Sequence, residues 1–296
     1  MPPRFSVLIP TYERPSALQG LLEAWALIEP PRGRHEIVLA DDGSSDPPTE
    51  IIDSYAGKIP MTFLRLPHAG VSATRQAALE ACRGEFVLIT DDDCRPDQRL
   101  LRAYEDALER FSGCALGGPV LNLLKENIRS ETTQMITTYV TNAWNSNKKG
   151  PVFFTGSNLL LPRQPLEQIG GFDRTWISRT GEDRDLCRRW AEAGFKMAYV
   201  PDAVMGHAHP LSFASFIEQH FHYGQGRTRN ELRRKKRVAG APRWSGAGFY
   251  ARLLVEPWQL FPPVKAAAMS LLTVCAQIAT ACGALQAHFD RKHARF

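Results

Sequence analysis

The 296 residues carry 36 Lys and Arg against 31 Asp and Glu, with 44% hydrophobic and 23% charged residues. That balance excludes a disordered chain and suits one large domain or two small ones. The formal charge of +5 is uneven: residues 227–243 hold eight Lys or Arg and only Glu231, so a local anionic contact is expected and a general nucleic-acid binder is not.

The first part alternates strand-like runs with helical spacing. Residues 5–9 (FSVLI), 36–40 (EIVLA), 61–66 (MTFLRL) and 85–90 (EFVLIT) read as strands, and 16–28, 47–56, 71–82 and 97–111 as helices. The order βαβαβαβα predicts an α/β fold with a largely parallel sheet and helices on both faces. From about residue 115 to 201 the pattern is mixed: GGPVLNLL as a strand, a helix near 132–145, FFTGSNLLLPR, a helix over 182–193 and a strand over 196–200. No internal repeat is visible. The last part differs in kind, with a basic helix, an aromatic and proline-rich stretch over 244–263, and residues 266–289 without one Asp, Glu, Lys or Arg.

Six cysteines (Cys82, Cys94, Cys114, Cys187, Cys275 and Cys282) are scattered without a C-x-x-C pair or zinc spacing. They read as buried or free thiols in a reducing compartment. The run at 5–9 is too short for a signal core, so residence on the cytosolic side is expected.

Two predicted strands, 36–40 and 85–90, run into acidic clusters, and ligands bind at the carboxyl ends of parallel strands. Asp41-Asp42-Gly43-Ser44-Ser45-Asp46 can offer a carboxylate to a base or ribose, or can be a turn that caps the next helix. Asp91-Asp92-Asp93 is the stronger signal. Three consecutive acids repel one another unless a cation or proton intervenes, and hard oxygen ligands suit Mg²⁺ or Mn²⁺ bridging a diphosphate. Glu182 and Asp183, with Asp185, open a helix, where acids are commonly dipole partners. His207 and His209 follow an apolar stretch, a pattern more often structural than ligating.

Taken together, Ile9-Pro10-Thr11-Tyr12, Asp41-Asp42-Gly43-Ser44, Gly70-Val71-Ser72 with Arg75, Gly84-Glu85-Phe86, Asp91-Asp92-Asp93, Gly170-Gly171-Phe172-Asp173 and Glu182-Asp183 with Asp185-Leu186 resemble the family 2 glycosyltransferases in order and spacing, over roughly residues 4–210. The resemblance implies a GT-A type, Rossmann-like nucleotide-binding sheet (about 1–114), a mixed acceptor-side half (about 115–210) and a C-terminal helical extension (211–296). It implies a nucleotide-sugar donor, Mn²⁺ or Mg²⁺, and inversion at the anomeric carbon. Asp42 is then expected at the nucleotide base, Pro10, Tyr12 and Glu13 around the nucleotide, Arg75 near its phosphates, and Asp91 and Asp92 at the donor. Asp91 and Asp93 match the metal-binding D-x-D pair, His207 a further metal ligand, and Asp183 the general base. Gln76 stands where the family often has Asn, and Q-x-x-R-W is incomplete around Leu186-Cys187-Arg188-Arg189-Trp190, which favours single-sugar transfer over polymer extrusion.

Rival readings lack their signatures. A pyrophosphorylase would open on a Gly-rich phosphate loop, and a dehydrogenase would carry G-x-G-x-x-G after the first strand. A donor-binding scaffold without catalysis would not need all three acidic sites. The expected partners are a nucleotide sugar and a glycan or lipid-linked acceptor of envelope or extracellular glycan synthesis, with no nucleic acid. Residues 266–289 are interrupted by Ser270, Thr273, Gln277, Thr280 and Gln286, so a clean span is not compelling. With Arg233, Arg234, Lys235, Lys236 and Arg237 and the aromatic Trp244, Phe249, Tyr250, Trp258 and Phe261, a peripheral contact with the inner face of the cell membrane is the favoured reading, a soluble helical cap the alternative.

Overall fold

The computed structural model describes residues 2–146, 150–176, 178–235 and 246–293. The chain divides into two compact units, one of residues 1–123, 144–177 and 182–208, the other of 124–143, 178–181 and 209–296.

The first unit opens with β1 (Phe5–Thr11), α1 (Pro15–Ala26), β2 (His35–Asp41), α2 (Thr49–Ser54), β3 (Met61–Arg65), α3 (Val71–Ala81) and β4 (Phe86–Ile89). Then come β5 (Cys94–Pro96), α4 (Leu100–Arg110), β6 (Ala115–Gly117) and β7 (Val120–Asn122). After α5 (Ile128–Asn145), most of which lies in the second unit, follow β8 (Leu159–Pro162), α6 (Arg163–Gln168), α7 (Glu182–Glu192), β9 (Met197–Tyr199) and β10 (Met205–His207).

Seven strands form one sheet in the order β3-β2-β1-β4-β8-β6-β9. β1 to β4 are mutually parallel where they pair, β8 runs antiparallel to β4 and β6, and β9 is parallel to β6. Side chains alternate across the sheet. Phe5, Val7, Ile9, Ile37, Leu39 and Leu88 face Leu18, Leu21 and Trp25 of α1 and Leu101, Tyr104 and Leu108 of α4. Leu8, Val38, Ala40, Val87 and Ile89 face Ala78 and Leu79 of α3 and Leu186 and Trp190 of α7. Both faces are therefore covered, which is why the strands read as apolar runs rather than alternating ones.

A three-stranded sheet, β5-β10-β7, lies beside the acidic loop in sequence. β10 is antiparallel to β5 and pairs His207 with Cys94. The stretch GGPVLNLL, expected as one strand, breaks into β6 and β7 in different sheets. The break falls at Gly118-Pro119, where proline has no N–H to give a ladder and a Cβ on Gly118 would stand 1.9 Å from the Ala203 carbonyl oxygen.

The second unit comprises most of α5 with α8 (Phe213–Lys235), α9 (Ala247–Leu260) and α10 (Pro263–His293). Met135, Ile136, Leu211, Phe216, Leu253, Met269 and Ala276 make its core. α8 and α10 approach closely: a Cβ on Gly283 would lie 1.9 Å from the Phe221 carbonyl oxygen, and one on Gly224 2.0 Å from that of Thr280. Lys236, Arg237, Arg243 and Trp244 of the predicted basic and aromatic segment lie outside the described residues. α5, which the sequence assigned with the acceptor half, groups instead with the C-terminal helices because its apolar face joins their core.

Candidate active site

β1 ends at Thr11, and the chain turns there through Tyr12 and Glu13. Pro10 is buried and paired with Ala40 of β2, beyond the last β1–β4 pair at Leu8, so its missing N–H breaks no bond on that side. Glu13 has a left-handed φ of 52°, rare for a residue with a side chain. Two contacts hold it there: its N–H donates to Ser44 Oγ (2.8 Å), and its carboxylate accepts from Ser45 N (2.7 Å). The turn after β1 is thereby tied to the turn after β2.

In that second turn the two acids divide. Asp41 is fully buried and accepts from Ser44 N and Ser44 Oγ, the latter at 2.5 Å. It shapes its own turn, in which Gly43 takes φ 80° against the backbone of His68. Asp42, also buried, accepts from Ala69 N (2.9 Å), Gly70 N (3.0 Å) and Thr74 Oγ1 (2.7 Å). It fixes the entry to α3 and stands 3.0 Å from His68 Nδ1. The His68 ring stacks on exposed Tyr12, with centroids 4.4 Å apart. This pair, open to solvent and backed by Asp42, is a flat surface of the kind that takes a base. His68 carries no motif in the sequence; only the turn brings it here.

The acidic loop follows β4. Asp91 accepts from Ser157 Oγ at 2.8 Å and from Arg75 at 2.5 Å. Asp92 is buried and accepts from Thr11 Oγ1 and Arg14, both at 2.9 Å; burial pushes its pKa up, while the Arg14 charge opposes the rise. Asp93 accepts from Arg14 at 2.7 Å and lies 3.1 Å from His207 Nε2. The β10–β5 pairing, with Ala208 N donating to Asp93 O at 2.8 Å, is what carries His207 across more than a hundred residues to this loop. Burial alone would lower the His207 pKa; the charge and hydrogen bond of Asp93 overcome it and hold it above the ordinary value.

Atoms of Asp91, Asp93 and Cys94 lie within 4.8 Å of one another, as do those of Asp93, His207 and His209. Asp93 belongs to both groups, and its carboxylate with that of Asp91 or with the imidazoles beside it fits a hard divalent ion. Burial raises the Cys94 thiol well above the usual range, and its soft sulfur suits a hard ion less than the carboxylate oxygens do.

The Arg75 guanidinium is buried, and its two terminal nitrogens are bonded to Asp91 and to Glu182. It joins the acidic loop to the first residue of α7. Burial raises the pKa of Glu182 against the pull of Arg75. The neighbouring Asp183 is more exposed, accepting from Gly156 N at 3.0 Å and from Arg184 N at 2.7 Å. Asp185 turns the other way, onto Arg188 and, at 2.7 Å, Arg189. Arg189 in turn donates to the carbonyls of Ile169 and Gly171. Gln76, the departure noted in the sequence, accepts from Phe172 N at 2.7 Å, so it ties α3 to the Gly170-Gly171-Phe172-Asp173 turn.

A nucleotide-binding sheet with its acids at the strand ends and a second acidic pair opening α7 defines a GT-A fold of the glycosyltransferase class. The fold matches that of the mannosyltransferase PcManGT of Pyrobaculum calidifontis in complex with GDP-Man and Mn²⁺ (TM-score 0.67, 19% identity, 96% of this chain and 88% of that one). It also matches Staphylococcus aureus TarS in complex with UDP-GlcNAc (TM-score 0.59, 16% identity, 87% and 73%). The chain belongs to the family described as glycosyltransferase like family 2, whose model matches residues 2–226. Among its relatives, the pre-mycofactocin glycosyltransferase of Mycobacterium tuberculosis is 30% identical over 234 residues, 74% of this chain and 46% of that protein. An N-acetylglucosaminyltransferase of a Rhizobium species is 26% identical over 97% of this chain and 70% of its own length. The chain thus spans about half the length of the first of these relatives.

Proposed function

We propose that this chain transfers a glycosyl group from a nucleoside diphosphate sugar to an acceptor hydroxyl, with inversion at the anomeric carbon. The observation that carries the reading is the junction at Arg75, which joins Asp91 of the acidic loop to Glu182, the residue before Asp183. A donor site and a base are thereby held at a fixed separation, as a displacement between two bound partners requires.

In this reading Tyr12, with Pro10 and Glu13 shaping its turn, lines the nucleoside pocket. Asp42 acts there by fixing His68 and the entry to α3. Asp91 and Asp92 bound the donor. Asp91, Asp93 and His207 would hold Mn²⁺ or Mg²⁺, which when bound offsets the charge gathering on the leaving diphosphate. Asp183 takes the proton of the acceptor hydroxyl. The hydroxyl oxygen bonds to the anomeric carbon as the bond to the diphosphate breaks on the opposite face, so one displacement inverts the centre. No carboxylate nucleophile is needed. The nucleotide sugars bound by PcManGT and TarS, and the Mn²⁺ bound by PcManGT, support the donor class and the metal without choosing between bases or sugars.

The acceptor in this reading is a glycan or lipid-linked hydroxyl of envelope or extracellular glycan synthesis. The protein is then cytoplasmic and peripheral on the inner face of the cell membrane. The exposed apolar residues Val264, Leu271, Ile278 and Leu285 of α10 support a membrane contact.

Transfer from UDP-, GDP- and dTDP-sugars should be abolished by EDTA and restored by Mn²⁺ or Mg²⁺. Asp93→Ala should lose donor binding as well as turnover. Full activity of Asp93→Ala in chelator would remove the metal from the mechanism.

A further inference from the structure

Arg14 belongs to none of the sequence motifs assigned a role, yet it makes the densest contact in the acidic loop. One guanidinium nitrogen donates to Asp92 at 2.9 Å and another to Asp93 at 2.7 Å. Both carboxylates are buried, while the Arg14 side chain is 37% exposed. The backbone on each side of it is fixed, by the left-handed Glu13 before it and by Pro15 at the first turn of α1 after it. Placement of the guanidinium is therefore built into the turn. A guanidinium keeps its charge at every accessible pH, and the charges of Asp93 and Asp92 raise its pKa further against the cost of burial.

We propose that Arg14 is a built-in counterion that neutralises Asp92 and Asp93 and competes with the divalent cation for Asp93. The inference rests on reading Asp91 and Asp93 as metal ligands. Adjacent buried carboxylates are costly without a cation, and Arg14 supplies one. A divalent ion on Asp93 shares the carboxylate that Arg14 occupies, so part of the metal's binding energy goes into loosening that pair. Arg14 is a positioning residue in this account: it keeps the loop formed before the donor arrives, at the expense of metal affinity.

The test is Mn²⁺ titration by calorimetry in the absence of donor, with thermal unfolding in EDTA and in Mn²⁺. Arg14→Met removes the charge and keeps most of the stem. It should bind Mn²⁺ about three- to tenfold tighter than the parent, the span expected for losing one partly exposed competing ion pair. In EDTA its Tm should fall below the parent's, and Mn²⁺ should raise it by more. Unchanged or weaker Mn²⁺ binding by Arg14→Met, with the parent binding and Asp93→Ala not, overturns the counterion role and leaves the metal site standing. If the parent does not bind Mn²⁺ with or without donor, the metal reading itself fails, and the competition with it. Should Arg14→Met not fold in either condition, Arg14→Lys decides. It keeps the charge but loses the two-pronged geometry, so it should bind Mn²⁺ at least about twofold tighter than the parent, and equal affinity overturns the proposal.

Discussion

At the scale of single residues the assignment most open to test is Asp183. Its two carboxylate oxygens accept from Gly156 N and Arg184 N, contacts that orient the group. Asp183→Asn keeps the size and removes the basicity. Positioned proton transfer is worth about 10²–10⁴-fold, so transfer should fall that far while donor affinity, measured calorimetrically with Mn²⁺, stays within about threefold, because the base acts in the transition state. Loss of donor affinity along with rate would place Asp183 in the donor site instead. Near-parent turnover would move the base away from Asp183, and either neighbour would first have to leave its arginine, Glu182 from Arg75 and Asp185 from Arg188 and Arg189. The acids were legible in the sequence because each follows a strand or opens a helix and its chemistry is local. Arg14 and His68 were not, for their partners lie about thirty to eighty residues away and only the turns after β1 and β2 bring them together. The burial of Arg75 between Asp91 and Glu182 was not legible for the same reason, because those partners are distant in sequence.

At the scale of elements, the parallel strands were legible because burial on both faces leaves unbroken apolar runs. The division of GGPVLNLL was not, because it depends on the approach of Ala203 to Gly118. Nor did the sequence single out His220, which α8 buries between Phe216 and Tyr223, 3.1 Å from Thr133 Oγ1. Burial lowers its pKa to about 4. The unfolded chain takes up a proton near pH 6.5 that the native one refuses until about pH 4. In that window the unfolded state binds more protons, so stability rises with pH and is lost as pH falls from 6.5 toward 4. The full difference is about 3 kcal/mol. His220→Gln keeps a hydrogen-bonding group and cannot be protonated. Urea unfolding at about pH 7 and about pH 4.5 should show the variant losing about 2 kcal/mol less than the parent between them. Equal losses would mean that His220 is protonated in the native state across the window.

At the scale of the whole molecule the question is what meets α10. One side of the helix joins the core of its unit through Met269 and Ala276. The other presents Val264, Leu271, Val274, Ile278, Leu285 and Phe289 to solvent, joined by Val255, Trp258 and Leu260 of α9. An exposed apolar surface of that extent marks a contact. Crossing a bilayer would require α8 to follow, because Gly224 and Gly283 pack the two helices against each other, and α8 carries Arg227, Arg229, Glu231 and Arg233, which hydrocarbon does not accept. A helix lying in the interface would escape that cost: its stripe would enter the acyl boundary while Arg227, Arg229 and Arg233 of α8 could meet anionic headgroups. The protein should therefore float with phosphatidylglycerol vesicles at low salt, and high salt should release it only in part, since the apolar contact is not screened. Leu271→Glu with Ile278→Glu places two charges on the stripe and leaves the buried face intact. This variant should stay in the soluble fraction with donor affinity unchanged. If the parent itself remains soluble at low salt, membrane docking is wrong. Val264, Leu271, Ile278 and Leu285 also recur every seven residues, the period of a helical seam. If the parent is a dimer without lipid and the double variant a monomer, that seam joins two copies of this chain, and the stripe is not free for the membrane.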